Sequence, residues 1–165
     1  MLRATDLAHL IIRARLAPGA IAVDATVGNG HDTGFLADIV GVSGHVYGFD
    51  VQADALAVAT ERVKGMRHVT LLQAGHEVLG ERLPEAARYR LATVMFNLGY
   101  LPGAAKSIVT RTETTLAALQ QSLDHLAVCG VVTLITYPGH AEGASEAVAV
   151  AQYTAMLPAT FAAST

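Results

Sequence analysis

The sequence predicts an α/β fold built on a doubly wound, mostly parallel sheet. Short aliphatic and β-branched runs alternate with longer amphipathic segments along the chain. Turn formers separate them, with "PG" at 18–19, "GVSG" at 41–44 and "LPG" at 101–103. Polar, glycine-containing stretches fall directly after the apolar runs, where an open parallel sheet receives its ligands.

The strands are expected at 20–24, 45–50, 68–72, 91–96 and 130–136. Helices are expected between them at 3–16, 31–40, 52–64, 106–128 and 142–156. Strand–helix alternation of this length reads as a parallel sheet covered on both faces, wound by right-handed crossovers. At 165 residues, 1–165 reads as a single domain able to bury one sizeable core. Hydrophobic residues make up 52% and charged residues 15%, with mean hydropathy +0.40, which excludes disorder. No apolar run approaches the roughly 20 residues of a bilayer span. Asp6, Arg13 and Arg15 interrupt the first segment, which argues against a secretory leader. The single cysteine, Cys129, excludes an internal disulfide and fits a reducing cytoplasm. Its apolar neighbours predict a small buried side chain. A net charge of −3 does not advertise a nucleic-acid binder, although Arg3, Arg13, Arg15, Lys106 and Arg111 could form local patches.

The first predicted strand ends at Asp24 and opens into "DATVGNGHDT". Gly28 and Gly30 allow positive φ and close approach of a ligand to the main chain. The helix that follows offers free N–H groups and partial positive charge to an anion. A dinucleotide fingerprint would need a third glycine where Thr33 stands, and no Gly-Lys-Ser/Thr of a phosphate loop follows. Asp50 closes the second strand, where an acid can accept hydrogen bonds from both hydroxyls of a ribose; capping the next helix is the alternative reading. In "QAGHE", 73–77, a polar loop with His76 could border an adenine ring.

The order Asp24-x-Thr26-x-Gly28-x-Gly30, with Asp50 after the second strand, resembles the first motifs of class I S-adenosylmethionine-dependent methyltransferases, with Thr26 standing where those usually carry glycine. The resemblance implies a Rossmann-like sheet and S-adenosyl-L-methionine as cofactor. Asp24 and the loop residues Thr26, Gly28, Asn29, Gly30, Asp32 and Thr33 would then hold the methionine end. Asp50 would hold the ribose, and Gln52, His76, Asn97 and Leu98 would complete the cofactor contacts. No metal is expected. The nicotinamide dinucleotides are the rival ligands.

The fourth strand runs into "FNLGYLPG", and Asn97-Leu98-Gly99-Tyr100 looks like a variant of the Asn/Asp-Pro-Pro-aromatic motif of amino-group methyltransferases. An amine must aim its lone pair at the methyl carbon, in line with the departing sulfur. The Asn97 oxygen and the Leu98 carbonyl can accept its N–H hydrogens and set that direction. Tyr100 can stack on a planar base. A protonated alkylamine has no lone pair, so a base is expected, with His140 at the substrate and His31 nearer the cofactor.

"AVDATVGNGHDTGFLA", "GFDVQADAL", "FNLGYLPG", "KSIVTRTETTLAAL" and "YPGHAEGASE" together resemble one narrow family, the small "putative rRNA methylases". Its characterised members methylate the aminomethyl nitrogen of 5-aminomethyl-uridine at the tRNA wobble position. The resemblance implies N-methylation of an alkylamine on a planar ring, with the tRNA anticodon stem-loop as partner and no membrane. Ala105 in "GAAK" stands where the family usually has an aspartate. Only "LPATFAAST" follows the last predicted helix, so the C-terminal strand pair of the class is expected to be short or missing. An open sheet edge then favours a homodimer. The alternatives are methylation of another RNA amino group, such as an rRNA adenine, and a non-catalytic cofactor-binding module.

Overall fold

The computed structural model describes residues 2–98, 111–139 and 141–163. In chain order its elements are α1 (Ala4–Arg13), β1 (Ile21–Asp24), α2 (His31–Val40), β2 (His45–Asp50), α3 (Ala53–Arg62) and β3 (Val69–Gln73). There follow α4 (Leu79–Arg82), β4 (Leu91–Asn97), α5 (Thr112–His125), β5 (Leu126–Ile135) and α6 (Ala141–Ala155). All ladders are parallel and the strand order is β3-β2-β1-β4-β5. The winding direction therefore reverses between β1 and β4, as a doubly wound sheet requires. No helix among the described residues is long and apolar enough to cross a membrane.

Two cores sandwich the sheet. On one face Val23, Phe49, Val94, Phe96 and Leu98 pack with Leu79 of α4, Leu83 just past its end and Ala118 of α5. On the other, Ala22, Val46 and Met95 meet Ala8 and Ile12 of α1 and Leu36 and Val40 of α2. Phe49 and Phe96 are fully buried, and each contributes about 1.5–3 kcal/mol by leaving water.

The sequence expectation differs from the structure in three places. The β3–β4 crossover carries 3-10 turns at His76–Val78 and Glu85–Ala87 around the four-residue α4, where no element was expected. Pro84 disfavours helical backbone at Leu83, which is extended and ends α4. α5 ends at His125, and β5 begins at Leu126 rather than 130; the expected helix start at 106 lies outside the described residues. Cys129 is exposed rather than buried. The reason is a surplus in the β4–β5 ladder. Leu91 pairs Leu126 but Thr93 pairs Val131, so the intervening residues of β5 must leave the ladder. Val128 and Cys129 sit on that protrusion, and Cys129 takes a φ of 65°. Among the described residues no strand follows α6, and β3 and β5 form the sheet edges.

Gly30 caps α2 with φ 78°, and a Cβ there would lie 2.9 Å from the Ala59 Cβ of α3. Its bareness thus serves helix packing as well as the loop. Gly34, inside α2, has nothing within 4 Å of such a Cβ. Gly30→Ala should destabilise by roughly 1–3 kcal/mol through strain and overpacking. Gly34→Ala should stabilise by about 0.5–1 kcal/mol through helix propensity. Urea unfolding midpoints moving in opposite directions would be the expected result.

Candidate active site

The carboxyl ends of β1, β2 and β4 meet at the reversal point, and their loops are tied together by side chains. Asp24 ends β1 and is wholly buried. One of its oxygens accepts the Thr33 hydroxyl at 2.6 Å and the other accepts the Thr26 N–H at 3.1 Å. Asp24 and Thr33 therefore shape the first loop from beneath. Both side chains are enclosed and act on the shape of that loop. Burial, together with Asp32 and Asp50 nearby, raises the Asp24 pKa from 3.8 to about 7 against the opposing hydrogen bonds.

Thr26 explains why a hydroxyl can replace the usual glycine. Its Oγ accepts the Asn97 N–H at 2.8 Å, extending the β1–β4 connection one step past the ladder. Gly28 has a φ of 49° and donates its N–H to Asp50 at 2.7 Å. The second Asp50 oxygen accepts the Gln52 N–H at 2.9 Å, closing the turn that leads into α3; Gln52 itself is the N-cap residue of that helix, and it has no side-chain cap. A carboxylate has about four lone-pair sites, which leaves capacity for ribose hydroxyls as well. The Asn29 carbonyl accepts from Arg62 Nε at 2.7 Å, and Arg62 also reaches the exposed His31 ring at 3.1 Å. His31 is thus held on the α3 side of the loop, and Gln52 is half-buried at the start of α3.

His76 turns inward from the loop after β3. It is buried edge-on to Phe96, with Nδ1 3.1 Å from the Ala25 carbonyl. A carbonyl only accepts, so Nδ1 carries the proton. Burial lowers the His76 pKa, although the Ala25 hydrogen bond works in the opposite direction. The reason for its inward turn is local: the 3-10 turn at 76–78 tucks the ring under the first loop.

Asn97 stands at the end of β4, half-buried. Its Oδ1 accepts the Tyr137 hydroxyl at 2.8 Å, and its Nδ2 lies 3.5 Å from Asp32 Oδ2. Asp32 Oδ1 is 2.7 Å from His9 Nε2. The Leu98 side chain is buried and its N–H donates to the Ile135 carbonyl at 2.9 Å. Only its carbonyl is therefore in question as a substrate contact. Tyr100, His140, Gly99, Ala105 and Lys106 lie outside the described residues. Among the described residues no cluster of three or more His, Cys, Asp or Glu is arranged to hold a metal.

Sequence reasoning missed His9 and Tyr137. Tyr137 stood in "YPGH", so its place after β5 was a usable signal. His9 lies on an amphipathic helix with no motif around it.

This arrangement can be set beside known proteins. The family model described as "Putative rRNA methylase" matches residues 46–164. The chain belongs to that family. A tRNA (mnm(5)s(2)U34)-methyltransferase, chloroplastic, of Arabidopsis thaliana is 38% identical over 94% of this chain, which spans 60% of that protein. The "putative rRNA-methylase" structure from Clostridium thermocellum superposes with a TM-score of 0.90 at 35% identity, over 96% of this chain and 85% of that one. A putative methyltransferase from Streptococcus mutans, solved with S-adenosylhomocysteine, gives 0.85 at 33%, again over 96% and 85%. The fold is that of the S-adenosylmethionine-dependent methyltransferases.

The Asp24 environment carries a pH signature. Its folded-state pKa lies above the unfolded value of 3.8, so the folded protein favours the protonated acid. Its contribution to stability is fully present below about pH 4 and is lost as pH rises towards 7. Asp24→Asn should remove that slope. The expected observation is a smaller loss of urea midpoint between pH 5 and pH 8 in the variant than in the wild type.

Proposed function

We propose that this protein is an S-adenosylmethionine-dependent N-methyltransferase acting on the aminomethyl group of a modified wobble uridine in tRNA. The observation that carries the reading is Asn97 fixed at the end of β4 and bridged through Thr26 to the first loop. The similarity to the Arabidopsis tRNA methyltransferase and to the structure holding S-adenosylhomocysteine supports the substrate and the cofactor.

The donor set suits that cofactor. Asp50 keeps lone pairs for ribose hydroxyls, and the α2 N-terminus suits the methionine carboxylate. The carboxylates of Asp32 and Asp50 favour a cationic sulfonium nearby. When bound, the cofactor supplies an electrophilic methyl group. Asn97 Oδ1 holds a second lone pair beyond the one engaged by Tyr137, and that pair can accept a substrate N–H. Holding the substrate N–H there would aim the lone pair of the neutral amine at the methyl carbon that the cofactor would supply. A homodimer belongs to this reading, with β5 as the edge a second copy would meet.

The test is nucleoside mass spectrometry of hypomodified tRNA incubated with the protein and cofactor. Methylaminomethyl-uridine is expected. Label appearing only in rRNA adenine, or cofactor binding without transfer to any RNA, overturns the assignment. Asn97→Ala should cut turnover by about a hundredfold, as loss of substrate aim does, with cofactor affinity nearly intact. Asp50→Ala should weaken cofactor binding by roughly 1.5–3 kcal/mol in calorimetry.

A further inference from the structure

Asn97 has two chemically opposite ends, and only its oxygen can accept a substrate N–H. A freely rotating amide would present the wrong end half the time. The structure holds a chain of groups that removes this ambiguity. Asp32 Oδ2 lies 3.5 Å from Asn97 Nδ2, and an ionised carboxylate only accepts, so the amide nitrogen must face it. Tyr137 donates to Oδ1 at 2.8 Å from the other side. Asp32 is held in turn by His9 at 2.7 Å. A bare ring nitrogen and a carboxylate oxygen would repel at that distance, so Nε2 carries a proton. The His9 ring itself lies flat on Phe35 of α2, with centroids 3.8 Å apart and planes 8° apart. Arg13, one turn along α1, rests on the same Phe35 ring at 4.8 Å.

We propose that His9 is a positioning residue: through Asp32 it fixes the Asn97 amide so that Oδ1 is the end shown to the substrate amine. This rests on the amino-methylation reading above. α1 thereby becomes part of the active-site scaffold, although it lies outside the motifs that mark the site in the sequence. His9 touches Asp32 and Phe35, and its effect on the amide passes through Asp32. Its hydrogen bond keeps Asp32 turned towards Asn97 instead of rotating out to solvent.

Two substitutions separate this role from mere packing. His9→Phe keeps the ring stacked on Phe35 and deletes the donor. His9→Gln loses the ring and keeps an N–H donor within reach of Asp32. A packing role predicts that the glutamine variant suffers more. The positioning role predicts the reverse: His9→Phe loses kcat by about tenfold or more, the size outer-shell partners typically carry, while His9→Gln stays within about threefold of wild type. The KM for S-adenosylmethionine should move little in either. Should His9→Phe fail to fold, His9→Leu removes the donor in its place. Wild-type kcat in the donor-less variant, equal losses in both, or a loss confined to KM overturns the inference. A wild-type protein that methylates no aminomethyl-uridine overturns the functional reading instead, so the two failures are distinguishable.

Discussion

The buried carboxyl group of Asp24 is the constraint on which the site depends. Its two oxygens gather the Thr26 N–H and the Thr33 hydroxyl, which closes the first loop over the end of β1. That closure places the Thr26 hydroxyl under the Asn97 N–H and so couples the loop to β4. It also brings Gly28 to Asp50, coupling the same loop to β2. Three strand ends are thus organised around one buried side chain. Such an arrangement is costly to bury, and the elevated pKa of Asp24 records the cost.

Electrostatics and geometry point the same way. Asp24, Asp32 and Asp50 lie close enough that each of the last two raises the pKa of the first. Asp32 and Asp50, partly exposed near the buried Asp24, make a poor anion site by themselves. They suit a ligand with a cationic centre, and the helix N-terminus beside them accommodates a carboxylate on the same molecule. A sulfonium amino acid carries both charges. A pyrophosphate would bring two negative charges towards these acids, which weighs against the nicotinamide dinucleotides considered from the sequence.

Much of this was legible in the sequence, because strand–loop–helix alternation and small residues after strands are local signals. The sheet, its winding and the places of Asp50 and Asn97 follow from them. What escaped depends on tertiary placement. His9 sits next to the buried Ala8 on a helix whose pattern reads only as amphipathic, and its partner Asp32 is 23 residues away. His76 reads as a loop residue until the turn at 76–78 directs it beneath Ala25. Cys129 has the neighbours of a core residue, and only the strand pairing reveals that it has been pushed out of the ladder.

That pairing also decides which way Asn97 faces. In β4, Leu91 packs in the core beneath α4 and α5, as do Val94, Phe96 and, one residue past the strand, Leu98. Leu91 has odd parity and the other three even, although a regular strand alternates strictly. The irregularity lies between Leu91 and Thr93, where the β1 and β4 ladders shift by one residue. Beyond it Met95 turns to the α1 and α2 side, and Asn97 follows two residues later to meet Asp32 and Tyr137. A strand without the bulge would send Leu98 to the crevice and bury the asparagine amide in an apolar core, unpaired. A defect at the far end of β4 therefore aims the side chain at its near end, a use of bulges that local sequence pattern does not reveal.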